Sequence, residues 1–108
     1  MMANSTVERP EYSRYCFFCG TPSINGEHHF LFGRGIKVLA EEDGIKAHTC
    51  DRCHVCGNKL ERVHDNPMAE KLSKMFGQAI YERNEVAKGA TIDEAREKFR
   101  KRYGQCYY

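Results

Sequence analysis

The stretch "TCDRCHVCG", residues 49–57, sets Cys50, Cys53 and Cys56 three residues apart, with His54 directly after the second cysteine. Four metal-ligating side chains in one short run are more than a single site ordinarily takes from one segment. A structural zinc is held by four ligands in a tetrahedron, usually as two pairs, each pair kept close by a tight turn. Upstream, "CFFCG" at residues 16–20 has the form of a zinc knuckle, with Cys16 and Cys19 as one pair and Gly20 where the chain must fold back sharply. The second pair is either Cys50 with Cys53 or Cys53 with Cys56, because both repeat the same gap. A Cys-Cys-Cys-His shell that takes His54 in place of Cys50 or Cys53 satisfies the same arithmetic.

Composition narrows what these thiols do. With 108 residues the chain is one domain by length, small enough that a metal is a useful supplement to a thin core. The start, "MMANSTVERPEYSRY", has no basic segment followed by an apolar one, and no apolar run is long enough to span a bilayer. The expectation is therefore a cytoplasmic protein without membrane contact, in a reducing compartment. There, five of six cysteines in C-x-x-C spacing point to metal thiolates before disulfides, and the absence of a βαβ pattern argues against a redox dithiol. A closed four-thiolate shell leaves no open coordination position, so it is structural and says nothing of catalysis.

Around these cysteines the local signals divide the chain into three parts. Residues 1–14 are polar and aperiodic and read as a loose tail. Residues 15–64 form the metal-bound core. "EHHFLF" at 27–32, bounded by turn residues, reads as a strand, and "GIKAHTC" at 44–50 alternates Ile45, Ala47 and Thr49 against Lys46 and His48 as a second, half-exposed strand. The two pair as an antiparallel hairpin with a large loop between them, in which "IKVLAEED" is a helical turn or irregular. A helix opens around Cys50–Cys53 and continues into "NKLERVH", with Gly57 weakening its middle. Residues 65–108 are helical. Asn66 caps a helix with Pro67 at its first position and Met68, Leu72, Met75, Phe76, Ala79 and Ile80 on one core-facing stripe. "TIDE" at 91–94 is a capping box that starts a last helix with Ile92, Ala95, Phe99 and Tyr103 on one side. The fold class is α+β: an antiparallel hairpin plus helix around zinc, treble-clef-like, with additional C-terminal helices.

"CFFCG" followed by "EHHF" and then "TCDRCH" resembles the zinc-stapled, four-cysteine branch of the HNH, or ββα-metal, endonuclease family. The likeness covers residues 16–54, and "EHHFLFGRG" and "HDNPMAEKLSK" are similar to stretches of phage and prophage members. The resemblance implies that Cys16, Cys19, Cys50 and Cys53 hold the structural zinc, which releases His54. It implies that His29 is the general base and that His28 and His54 hold a catalytic divalent ion, Mg²⁺, Mn²⁺ or a second Zn²⁺. Imidazole suits the base role, since its ordinary pKa of about 6.5 leaves much of it neutral near pH 7. Some members add a helical His four residues after the first; here that position is Asn58, a weaker carbonyl ligand. Adjacent strand residues face opposite sides, so His28 and His29 meet at one spot only if the strand end is distorted.

Two departures from the family pattern stand out. The middle Asn that orients the catalytic His falls near Gly44 or Ile45, neither of which can do so, and Thr49 replaces the apolar residue before Cys50. Cys56 reads as a spare thiol or a zinc ligand, His48 as facing either the site or solvent, His64 as a helix-end cap, and Cys106 has no assigned role.

The net charge of +2 does not by itself indicate nucleic acid, but its distribution is uneven. Arg34 and Lys37 follow the histidines, and "REKFRKR" contributes Arg96, Lys98, Arg100, Lys101 and Arg102, either as a solvated helix face or as phosphate contacts. The expected function is a metal-dependent endonuclease hydrolysing DNA phosphodiester bonds through backbone contacts, with little sequence readout in so small a domain. The alternative is a catalytically inactive zinc module that binds nucleic acid or a protein partner, such as a phage-encoded host-factor binder. The C-terminal helices offer a surface for a protein partner or a homodimer.

Overall fold

The computed structural model describes residues 5–8, 11, 13–22, 26–50, 53–54 and 63–108. Two strands, β1 (Gly26–His29) and β2 (Lys46–Thr49), form the antiparallel hairpin, and α1 (Ile36–Asp43) occupies the loop between them. A short 3-10 turn at Val63–Asp65 leads into α2 (Pro67–Ala87), followed by α3 (Ile92–Tyr103). The α+β class and the hairpin agree with the sequence reading, and "IKVLAEED" resolves to a helix rather than a loop. It stops at Gly44, whose φ of 71° is left-handed and whose N–H returns to the carbonyls of Ala40 and Glu41.

Register is regular: Gly26 faces Thr49, Glu27 faces His48, His28 faces Ala47 and His29 faces Lys46. One side of the hairpin therefore carries His28, Ala47 and Thr49, and the other carries Glu27, His29, Lys46 and His48. Lys46, expected to be half exposed, is buried, because Glu41 of α1 and Glu27 of β1 lie 2.6 Å and 3.4 Å from its ammonium. Periodicity alone cannot anticipate counterions brought from another element.

The N-terminal residues Ser5–Glu8 are tied down, unlike the loose tail expected for residues 1–14. Thr6 N–H donates to Gly44 O at 2.7 Å, Ser5 Oγ donates to Lys46 O, and the Glu8 carboxylate accepts from His48 Nδ1 at 2.6 Å. That last bond places His48 against Glu8.

The main core gathers Phe30, Leu31, Ala40, Ile45, Ala47, Ile80, Phe99 and Tyr103. Both predicted caps form: Asn66 Oδ1 accepts from the amides of Met68 and Ala69, and Thr91 and Glu94 make the reciprocal capping box. Helix α3 buries Ala95, Phe99 and Tyr103 as expected, whereas Ile92 is exposed. Tyr103 Oη and Arg102 Nε both donate to Asp43, which fastens α3 to the end of α1.

Helix α2 is rotated from the expected orientation. Ser73, Gly77 and Ile80 face inward and Met68 (65% exposed) and Leu72 (62%) face outward, while Phe76 lies at the edge, 37% exposed, its ring packed on core Phe30 and on Phe17. The cause is a close approach of α2 to the chain leaving β1. A Cβ on Gly77 would stand 2.6 Å from Leu31 Cγ and 3.2 Å from Phe30 Cβ. Gly77→Ala is therefore expected to destabilise the protein. Overpacking costs roughly 1–3 kcal/mol and outweighs the gain of about 1 kcal/mol in helix propensity. Thermal melting should register it as a fall of several degrees.

Candidate metal centres

The thiol cluster is assembled by two turns. In the knuckle, Gly20 N–H donates to Cys16 O and Cys16 N–H to Thr21 O, and Phe17 N–H donates to His48 O at 2.9 Å, which joins the knuckle to β2. The other pair follows as β2 ends: His54 N–H donates to Cys50 O at 3.1 Å, an i to i−4 bond that draws His54 back toward Cys50. The expected continuation of this helix, with Asn58 and Cys56 on it, lies outside the described residues.

Sulfurs of Cys16, Cys19, Cys50 and Cys53 all lie within 4.8 Å of one another, and Cys19 and Cys50 are 3.6 Å apart. A tetrahedral zinc with Zn–S bonds of about 2.3 Å holds its sulfurs roughly 3.8 Å apart, so the spacing fits. The four are free cysteines and form a cluster separate from the main core. Hydrogen bonds from the side chain and backbone of Thr21 pull the Cys19 thiol down to about 6, whereas burial, followed by the neighbouring Cys19, pushes Cys53 up. Four crowded thiols ionise together only with a cation among them, and a soft donor set of this kind suits zinc.

Beside it lies a second cluster. His28, His54 and His64 bring one ring nitrogen each within 4.8 Å of the others. His54 Nε2 and His64 Nε2 are 2.9 Å apart, and the His28 ring centroid is 5.3 Å from His54 and 5.1 Å from His64. His54 is carried by the same turn that supplies Cys53, and its ring lies against the start of β1, where a Cβ on Gly26 would stand 3.8 Å from His54 Nδ1. His64 sits in the 3-10 turn before α2, backed by Phe32 and with the Glu70 carboxylate 3.8 Å from its Nδ1. Sequence reasoning gave His64 a capping role. The signal that could have placed it in the cluster is its position just before the Asn66 cap of α2, the helix whose Ser73 meets His28.

The tautomer of His28 follows from its partners. Ser73 Oγ donates its single proton to Phe30 O at 3.0 Å, so it accepts from His28 Nε2, 2.8 Å away. His28 Nδ1 is then unprotonated, fully buried and without a hydrogen-bond partner. Burial, aided by the rings of His64, His54 and His29, pulls this imidazole down to about 3, so it is neutral as a ligand must be. Three clustered imidazoles suit a divalent ion of the zinc or manganese kind better than Mg²⁺, which prefers oxygen.

His29 points from the opposite side of β1, as alternation requires, and β1 shows no bulge in its pairing with β2. It nevertheless borders the same cavity of about 250 Å³ as His54 and His64, together with Glu27, Phe32 and Lys37. Its Nε2 is 2.8 Å from Glu41 Oε1, and its Nδ1 is buried without a partner.

Of the seven basic residues singled out in the sequence, Lys37 alone is among the described residues lining this cavity, and Arg34 is exposed in the turn before it. The C-terminal residues sit on α3 and are largely engaged within the chain. Arg96 pairs with Glu82, Lys98 with Glu85, Arg100 with Glu97, and Arg102 with Glu42 and Asp43, while Lys101 is exposed beside Glu97.

Compared with models of protein families, with curated proteins and with solved structures, the chain matches none. Within the described residues no helix is long and apolar enough to cross a membrane.

Proposed function

We propose that this protein is a metal-dependent endonuclease of the HNH type that hydrolyses DNA phosphodiester bonds, built on a structural zinc at Cys16, Cys19, Cys50 and Cys53. The observation that carries this reading is the shared cavity: His29, with a partnerless Nδ1, borders it alongside His54 and His64 of the three-histidine cluster. In this reading His28, His54 and His64 hold the catalytic ion. When bound, that ion would polarise the scissile phosphate and stabilise the leaving oxygen. His29 is the general base, its ring held by Glu41. Lys37 at the rim, with Arg34 nearby, meets the phosphate backbone, which supplies affinity without reading bases.

A plasmid-nicking assay across Zn²⁺, Mn²⁺ and Mg²⁺, with chelator as control, tests the proposal. Conversion of supercoiled to open-circular DNA is expected with metal and not with chelator, and His64→Ala should raise the metal concentration needed by about 10- to 100-fold. Intact plasmid under every metal would remove the nuclease reading. The exposed stripe of Met68, Leu72 and Phe76 favours one other reading, a zinc module that docks a partner. That reading predicts salt-sensitive DNA binding or protein association with no cleavage.

A further inference from the structure

Two adjacent histidines on β1 each have Nε2 engaged and Nδ1 buried without a partner, yet the engaging groups differ: a hydroxyl for His28 and a carboxylate for His29. Glu41 reaches His29 from α1, and its second oxygen is held by Lys46 at 2.6 Å. Lys46 is the cross-strand partner of His29, so both lie on one side of the hairpin, with Glu27 two residues earlier on that same side. A lysine side chain that is only 5% exposed needs counterions, and Glu41 and Glu27 supply them. Glu41 is thereby kept ionised, and an ionised carboxylate only accepts hydrogen bonds.

We propose that Glu41, seated by Lys46, is the positioning residue that holds His29 in the tautomer with its proton on Nε2 and its lone pair on Nδ1. The role of His29 as base rests on the hydrolytic reading above; the tautomer does not.

Long-range ¹H–¹⁵N NMR of the zinc-loaded full chain reads the tautomer directly, with the His29 ring assigned by its loss in His29→Gln. In the wild type, Nε2 of His29 is expected in the protonated range and Nδ1 in the unprotonated range. Glu41→Ala should yield a mixture at His29 while His28, held by Ser73, keeps its tautomer as an internal control. Glu41→Gln should lower the kcat of plasmid nicking by about tenfold or more at unchanged KM, and Glu41→Asp should recover part of it. A wild-type His29 protonated at Nδ1 overturns the proposal, and so does a tautomer that Glu41→Ala leaves alone. The predicted tautomers in a protein that nicks nothing support the proposal and remove the nuclease reading instead.

Discussion

Cys50→Ser is expected to release the structural zinc and unfold the hairpin end of the molecule. Cys50 is buried, follows directly on β2 and opens the turn that carries Cys53 and His54. Zinc bound to four thiolates contributes on the order of 10–16 kcal/mol of apparent binding energy in small domains, as much as the ~5–15 kcal/mol by which a whole domain is stable. Losing one thiolate also leaves the remaining three crowded without their counter-charge. Elemental analysis should show the loss of one zinc per chain, and hydrogen exchange should show lost protection at Lys46–Thr49. Protection should survive where Ile80, Phe99 and Tyr103 pack, because that core does not touch the thiols for its cohesion. A variant that keeps full protection in β2 would mean that the thiol cluster does not carry this end of the fold.

His29→Ala is expected to reduce cleavage by roughly 10²–10⁴-fold, the usual contribution of a positioned general base. Metal content should stay at the wild-type level, since His29 belongs to neither the thiol nor the three-histidine cluster. Folding should also survive: the Lys46–Glu41 ion pair remains, and the space vacated opens toward the cavity that His29 borders. The comparison that isolates the base is with Ser73→Ala. Removing the Ser73 hydroxyl frees His28 Nε2 and is expected to weaken metal binding rather than the step after it. Equal nicking by His29→Ala and wild type at saturating metal would take His29 out of the chemistry.

What could be read from the chain was what is decided locally. Asn66–Pro67 and Thr91–Glu94 fix helix starts through bonds within four residues, and both caps stand where the sequence put them. The C-x-x-C pairs are equally local: each spacing closes its own turn, and Cys50 with Cys53 joins Cys16 and Cys19 in the described cluster. Features set by distant partners were hidden. The apolar stripe of α2 pointed at a core that Gly77 and Ser73 in fact face, because close contact with Leu31 and the hydrogen bond to His28 need small residues there. Lys46 looked half exposed because its counterions come from α1 and from the preceding strand. Glu41 was only part of an acidic stretch, and no rule of spacing connects it with a histidine 12 residues earlier. Gly44 and Ile45 have no side chain that could bond His29, and the bond its Nε2 makes comes from α1.

Because β1 turns His28 toward α2 and His29 toward α1, neighbouring residues answer to separate supports. In the proposed nuclease, edits around Ser73 would reach the ligand His28 without touching His29, and edits around Glu41 would do the reverse. A one-residue slip of β1 against β2 would exchange the two supports and disable both at once.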